Sequence, residues 1–113
     1  MPETPVPLRR ILYIAGTHWD REWYRPYEAF RFRLVSVIDE VLDTLEADPS
    51  FSTFLLDGQT ILAEDYLEIR PENRARLSGL LAGGRLSAGP WFTMPDQFLV
   101  SGEGLVRNLA LGI

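Results

Sequence analysis

The sequence predicts an α/β fold, a parallel sheet built from three βα units in series. Two observations carry this. Short apolar segments ending at Ala15, Asp57 and Ala88 alternate with helix-length segments whose apolar residues recur every three or four positions. No short hairpin turn joins one strand to the next, so each return passes through a helix. Neighbouring strands are then parallel, with the helices packed outside them.

In chain order, residues 1–8 form an extended lead, because prolines at positions 2, 5 and 7 forbid regular structure. Residues 9–113 form the folded unit. The first strand runs from residue 9 or 10 to 15 and reads as buried, because Ile11-Leu12-Tyr13-Ile14-Ala15 is apolar throughout. Gly16 permits a turn or a close backbone approach. A loop continues to about Pro26. A long helix spans about 27–47, with Phe30, Leu34, Ile38, Val41, Leu42 and Leu45 on one face. Asp48-Pro49 ends it, since the residue before proline is pushed out of the helical region.

The second strand covers residues 51–57 and stops at the turn signal Asp57-Gly58. Thr60 can cap a short helix to about residue 67. Pro71 suits the first turn of another, about 71–82, which Gly83-Gly84 terminates. Residues 85–88 form the third strand. Ser101 is a plausible cap for a last helix over 102–111.

Composition narrows the function. A chain of 113 residues is one compact domain, and 46% hydrophobic residues are enough for a packed core. The net charge is −5, and the eleven basic residues are all arginine, dispersed along the chain. That balance argues against a nucleic-acid or anionic-membrane binder. No cysteine is present, which removes disulfides and thiolate metal sites. The first residues show no secretion signal, and no apolar run approaches membrane-spanning length, so a cytoplasmic location is the default expectation.

The stretch with most chemical content is Gly16-Thr17-His18-Trp19-Asp20-Arg21-Glu22-Trp23-Tyr24, just past the first strand. It holds the only histidine and two of the three tryptophans. In extended chain His18 and Asp20 share a face, and Trp19 points the other way. An imidazole and a carboxylate on one face are two of the ligands zinc takes. The competing reading is a solvated His beside a solvated charge cluster.

Asp57 and Asp96 also follow strands, at the edge where α/β proteins bind ligands. His18, Asp20, Asp57, Trp91 and Asp96 could therefore converge. Asp57 could equally be a turn carboxylate capping Gln59 or Thr60. Trp23 and Trp91 suit either core and rim packing or the apolar face of a sugar.

Three segments together carry a family resemblance: His18-Trp19-Asp20-Arg21-Glu22-Trp23-Tyr24, Leu56-Asp57-Gly58-Gln59-Thr60, and Gly89-Pro90-Trp91 through Asp96. In order and spacing they resemble the N-terminal part of glycoside hydrolase family 38, the retaining α-mannosidases. The likeness is strongest to its bacterial branch, which includes α-mannosidases and mannosylglycerate hydrolases. It implies that the three βα units are part of a seven-stranded β/α barrel. It also implies zinc, or another divalent metal, bound by His18, Asp20 and Asp96, with Asp96 the nucleophile. Trp23 matches the aromatic residue that lies against bound mannose, and Asp57 and Trp91 are further candidate substrate contacts. The sequence departs from the family at Gly16, where a further His is usual, and at Gln97, where Glu is common.

A retaining glycosidase needs a second carboxyl group as acid and base. In the family that group and a fourth zinc ligand, a second His, lie further along than position 113. The resemblance therefore implies an N-terminal piece of an α-mannosidase. The isolated chain is then expected to be inactive and, with open sheet edges, prone to homo-oligomerisation. The alternatives are a mannosylglycerate hydrolase-like enzyme and a metal- or sugar-binding fragment without catalysis.

Overall fold

The computed structural model describes residues 10–113; the expected lead over residues 1–8 lies outside them. The chain runs β1 (Ala15–Gly16), α1 (Tyr27–Ala47), β2 (Phe54–Leu55), α2 (Ile61–Leu67), a 3-10 turn (Pro71–Asn73), α3 (Arg74–Ala82), β3 (Leu86–Ser87) and α4 (Gly102–Gly112). The strands form one parallel sheet in the order β1-β2-β3, with Ala15 opposite Phe54 and Phe54 opposite Leu86. The α/β class, the parallel sense and the element order are as the sequence implied. Among the described residues no helix is long and apolar enough to cross a membrane.

α1 begins and ends where the periodicity placed it. Its buried residues are the six expected ones, with Val35 added. All of them except Phe30 pack with Leu56, Leu62, Tyr66, Leu77 and Leu86 into one core between sheet and helices. Polar groups continue this packing. Tyr66 is fully buried, and its hydroxyl donates to Asp39 Oδ1 at 2.6 Å and accepts from Asn73 Nδ2 at 2.6 Å. Burial, then the bond to Asp39, pushes the Tyr66 phenol up to about 12.

The strands are much shorter than expected. Only two residues pair in each, against spans of 9 or 10 to 15, 51–57 and 85–88. For β2 the reason is Arg85. Its guanidinium donates to the carbonyls of Leu45 (2.8 Å), Asp48 (3.2 Å), Phe51 (2.8 Å) and Ser52 (2.9 Å). The backbone leading into β2 is thus bound by a side chain rather than by a neighbouring strand. For β1 the expected burial fails. Ile11, Leu12, Tyr13 and Ile14 are 67–86% exposed, because the ladder with β2 starts only at Ala15 and β1 forms the sheet edge. Gly16 is needed at that ladder: a Cβ there would lie 2.9 Å from Leu55 O.

Two helix starts also differ in detail. The segment from Pro71 begins as a 3-10 turn and becomes α-helical at Arg74. Thr60 makes no side-chain cap for α2. Instead, the carbonyls of Trp91 and Phe92 accept the N–H groups of Thr60 and Ile61, both at 2.9 Å. The loop after β3 therefore caps α2. Ser101 does cap α4, its Oγ accepting Gly104 N–H at 3.1 Å. α4 buries no residue and docks through Asn108, whose amide bonds both backbone groups of Thr93, at 2.9 and 2.7 Å.

Candidate active site

The strands are parallel, so the loops after β1, β2 and β3 all leave the same sheet edge. In the first loop, Trp19 turns inward and packs edge-on against Phe30, with ring centroids 6.2 Å apart. His18 and Asp20 turn the other way. His18 Nε2 stands 3.9 Å from Asp20 Oδ2, with 82% of the His18 side chain exposed. Trp23 stacks edge-on with Tyr24 at 5.2 Å, and Tyr24 with Phe30 at 5.2 Å. His18, Asp20, Trp23, Tyr24 and Arg33 line a groove of about 590 Å³.

The second loop adds Asp57. It is 8% exposed, and its backbone is left-handed, with φ +48°. Its Oδ2 accepts two hydrogen bonds, from Trp19 N–H at 2.7 Å and from Gln59 Nε2 at 2.8 Å. Asp57 is thus not a cap on the Gln59 or Thr60 backbone; Gln59 N–H goes to Leu56 O. Asp57 Oδ1 lies 3.7 Å from His18 Nδ1, too long for a hydrogen bond but facing the ring. A second depression, about 370 Å³, is lined by His18, Asp20, Glu22, Asp57, Gln59 and Met94. His18 and Asp20 therefore stand on the ridge between two concavities.

Gln59 joins all three loops, and its role was not evident from the sequence. It is 2% exposed. Its Nε2 donates to Trp19 O at 2.9 Å and to Asp57, and its Oε1 accepts Met94 N–H at 3.1 Å. The signals available were its place in the Asp57-Gly58-Gln59 turn, where an amide reads as solvated, and its membership of the Leu56–Thr60 segment that carries the family resemblance. Arg21 was also missed. It donates to Asp65 through Nε at 2.7 Å and Nη2 at 2.8 Å, and Tyr27 donates to the same carboxylate at 2.8 Å. The bond to Asp65 raises the Arg21 pKa; burial, then the bond to Asp65, raises that of Tyr27.

The third loop places its candidates further out. Asp96 is exposed, and its Oδ1 accepts Phe98 N–H at 3.4 Å in a local turn. Trp91 is half-buried and lines neither concavity; its backbone N–H donates to Gly58 O at 3.2 Å. His18 and Asp20 are suited to zinc in kind, one ring nitrogen and one carboxylate oxygen, exposed and close together. Among the described residues no group of three or more His, Cys, Asp or Glu gathers closely enough to hold a metal ion. The arrangement supplies two donors side by side, with Asp96 on a neighbouring loop of the same edge.

Comparison with known proteins bears on the family and the fold. Residues 9–113 match the family described as "Glycosyl hydrolases family 38 N-terminal domain". The chain is 49% identical over 100 residues to a protein of Halalkalibacterium halodurans named "Putative mannosylglycerate hydrolase", covering 88% of this chain and 11% of that protein. Among solved structures it is similar to an α-mannosidase from Enterococcus faecalis V583, with a TM-score of 0.85 and 46% identity over 88% of this chain and 11% of that one. A second Enterococcus faecalis structure, of a protein in glycosyl hydrolase family 38, gives a TM-score of 0.79 and 44% identity, covering 88% and 12%. The chain spans only 11–12% of the length of these relatives.

Proposed function

This chain belongs to glycoside hydrolase family 38, and from that membership we propose that it forms part of the active centre of a retaining α-mannoside hydrolase. The observation that carries the reading is the groove where His18, Asp20 and Trp23 meet at the C-terminal edge of the sheet. We assign the three βα units to a seven-stranded β/α barrel, whose other strands belong to the much longer hydrolase.

In this reading Trp23 offers an exposed ring face to the apolar side of the mannose. Asp96 is the attacking carboxylate: its oxygen bonds to the anomeric carbon as the glycosidic oxygen leaves, giving a glycosyl ester that water then cleaves. The leaving oxygen needs a proton donor, which we place in the part of the hydrolase beyond these 113 residues. A zinc or other divalent ion held by His18, Asp20 and Asp96 would supply Lewis-acid polarisation and orientation of the sugar hydroxyls. Gln59 holds the Asp96 loop to the His18 loop through Met94 and Trp19.

A mannosylated small acid such as mannosylglycerate is the second reading, and one observation favours it beside the Halalkalibacterium relative. Arg33 lines the same groove as Trp23, its guanidinium donating to Tyr24 Oη at 3.3 Å. A carboxylate on the departing group would find a cation there.

The test is turnover by the hydrolase that carries this segment, on an aryl α-mannoside and on mannosylglycerate, with the anomer of the first-formed sugar read by NMR. Retention on either substrate supports the reading. Inversion, or turnover of neither, overturns it.

A further inference from the structure

We infer that the second depression, across the His18–Asp20 ridge from the Trp23 groove, binds a neutral sugar, the next residue of an oligosaccharide whose terminal mannose lies against Trp23. The inference rests on the hydrolase reading and narrows its substrate. The depression measures about 370 Å³, within the range of small-ligand sites, and Asp20, Glu22, Asp57, Gln59, Thr93 and Met94 line it.

Asp57 points to the ligand's chemistry. The residue is 8% exposed. Its Oδ2 is spent on Trp19 N–H and Gln59 Nε2, at 2.7 and 2.8 Å. Among the described residues nothing donates to its other oxygen, Oδ1, which stands 3.7 Å from His18 Nδ1, beyond hydrogen-bond distance. A nearly buried carboxylate oxygen without a donor is costly, and the open space beside this one is the depression. An ionised carboxylate accepts hydrogen bonds and cannot donate, so what enters must donate. Sugar hydroxyls do so without bringing charge.

The walls exclude an anion. Three carboxylates line the depression, and its arginine, Arg21, spends Nε and Nη2 on Asp65. The proposed function assigns Asp20 to the metal, which leaves Glu22 and Asp57 to the ligand. A carboxylate or phosphate there would meet like charge. The Trp23 groove is the converse, since its cation is Arg33. Thr93 adds a hydroxyl, with both its backbone groups held by Asn108. Met94, 43% exposed, offers a polarisable apolar surface to the C–H face of a sugar ring. The cavity is also held in shape. Gln59 donates to Trp19 O on one wall and accepts Met94 N–H from the other, so little ordering is left for binding to cost.

The test is calorimetric binding to the hydrolase that carries this segment. The probes are methyl α-mannoside and a set of thio-linked α-mannobioses, one for each linkage, whose sulfur bridge resists hydrolysis. At least one mannobiose should bind more tightly than methyl α-mannoside. The same disaccharide with a uronic acid as its second sugar should lose that advantage. Glu22 is exposed, so Glu22→Gln leaves the core intact, and it should reduce the advantage of the neutral mannobiose about two- to twelve-fold. Equal binding of methyl α-mannoside and every mannobiose overturns the inference. So does an advantage that survives undiminished in Glu22→Gln or with the uronic acid. Tighter binding of a mannobiose by a hydrolase that turns over no mannoside would count against the proposed function and not against this inference. Turnover of an aryl α-mannoside with no mannobiose advantage would do the reverse.

Discussion

Arg21 grips Asp65 side-on with two hydrogen bonds, although 44 residues separate them. Asp65 is 4% exposed and sits in α2, while Arg21 follows Asp20 in the loop after β1. The clamp therefore fixes the loop that presents Asp20. Replacing Arg21 by Met strands a buried carboxylate with Tyr27 as its remaining partner. Part of the guanidinium is open to solvent, which reduces the loss, and a destabilisation of about 1–3 kcal/mol is expected. The urea midpoint at unchanged slope measures it. The double variant Arg21→Met with Asp65→Leu should recover stability relative to Arg21→Met alone; a further loss would show that the carboxylate is not a buried liability.

Asp96→Asn in the hydrolase carrying this segment should lower kcat far more than it raises KM. The amide has nearly the carboxylate's shape but cannot form the glycosyl ester. Steady-state kinetics on an aryl α-mannoside decides this. A variant keeping more than about a tenth of wild-type kcat would put the nucleophile elsewhere.

Trp23→Ala should act mainly on substrate affinity. The ring is 74% exposed and touches Tyr24 edge-on, so its removal leaves no core cavity. Loss of one aromatic platform at about 0.5–1.5 kcal/mol corresponds to a rise in KM of about 2- to 12-fold. An unchanged KM would remove Trp23 from the sugar site.

Tyr66 should contribute to the alkaline limb of stability, beside Tyr27, whose phenol is also raised. The Tyr66 phenol is raised to about 12 in the folded chain, against about 10 when unfolded. The unfolded state therefore loses the proton first. The stabilisation is complete below about pH 10 and falls by about 1.4 kcal/mol per pH unit as pH rises toward the folded value. All eleven basic residues are arginine, so no lysine titrates in this window. Tyr66→Phe should be less stable at neutral pH by about 1–2 kcal/mol, because Asp39 and Asn73 lose their partner. It should also show a shallower alkaline loss in denaturant titrations at stepped pH. An identical slope in both proteins would contradict the assignment.

The sequence by itself determined what depends on neighbours along the chain. The span of α1, its stop at Asp48-Pro49, the Ser101 cap and the parallel sense of three βα units all follow from spacings of a few residues. So does the shared side of His18 and Asp20, two residues apart and opposite Trp19. The family likeness was legible for the same reason, since its motifs are short and lie at strand ends. Tertiary structure decided whatever joins residues 30 to 44 positions apart. Arg85 reaches the carbonyls before β2, Trp91 and Phe92 take over the capping of α2 from Thr60, and Gln59 binds Trp19 and Met94 across three loops. Asp57 shows the difference most directly. Its turn was visible in Asp57-Gly58, but the carboxylate is spent on Trp19, 38 residues away, and not on the adjacent backbone. A local turn offers a carboxylate several nearby N–H groups, and only the approach of another loop determines which donor it takes.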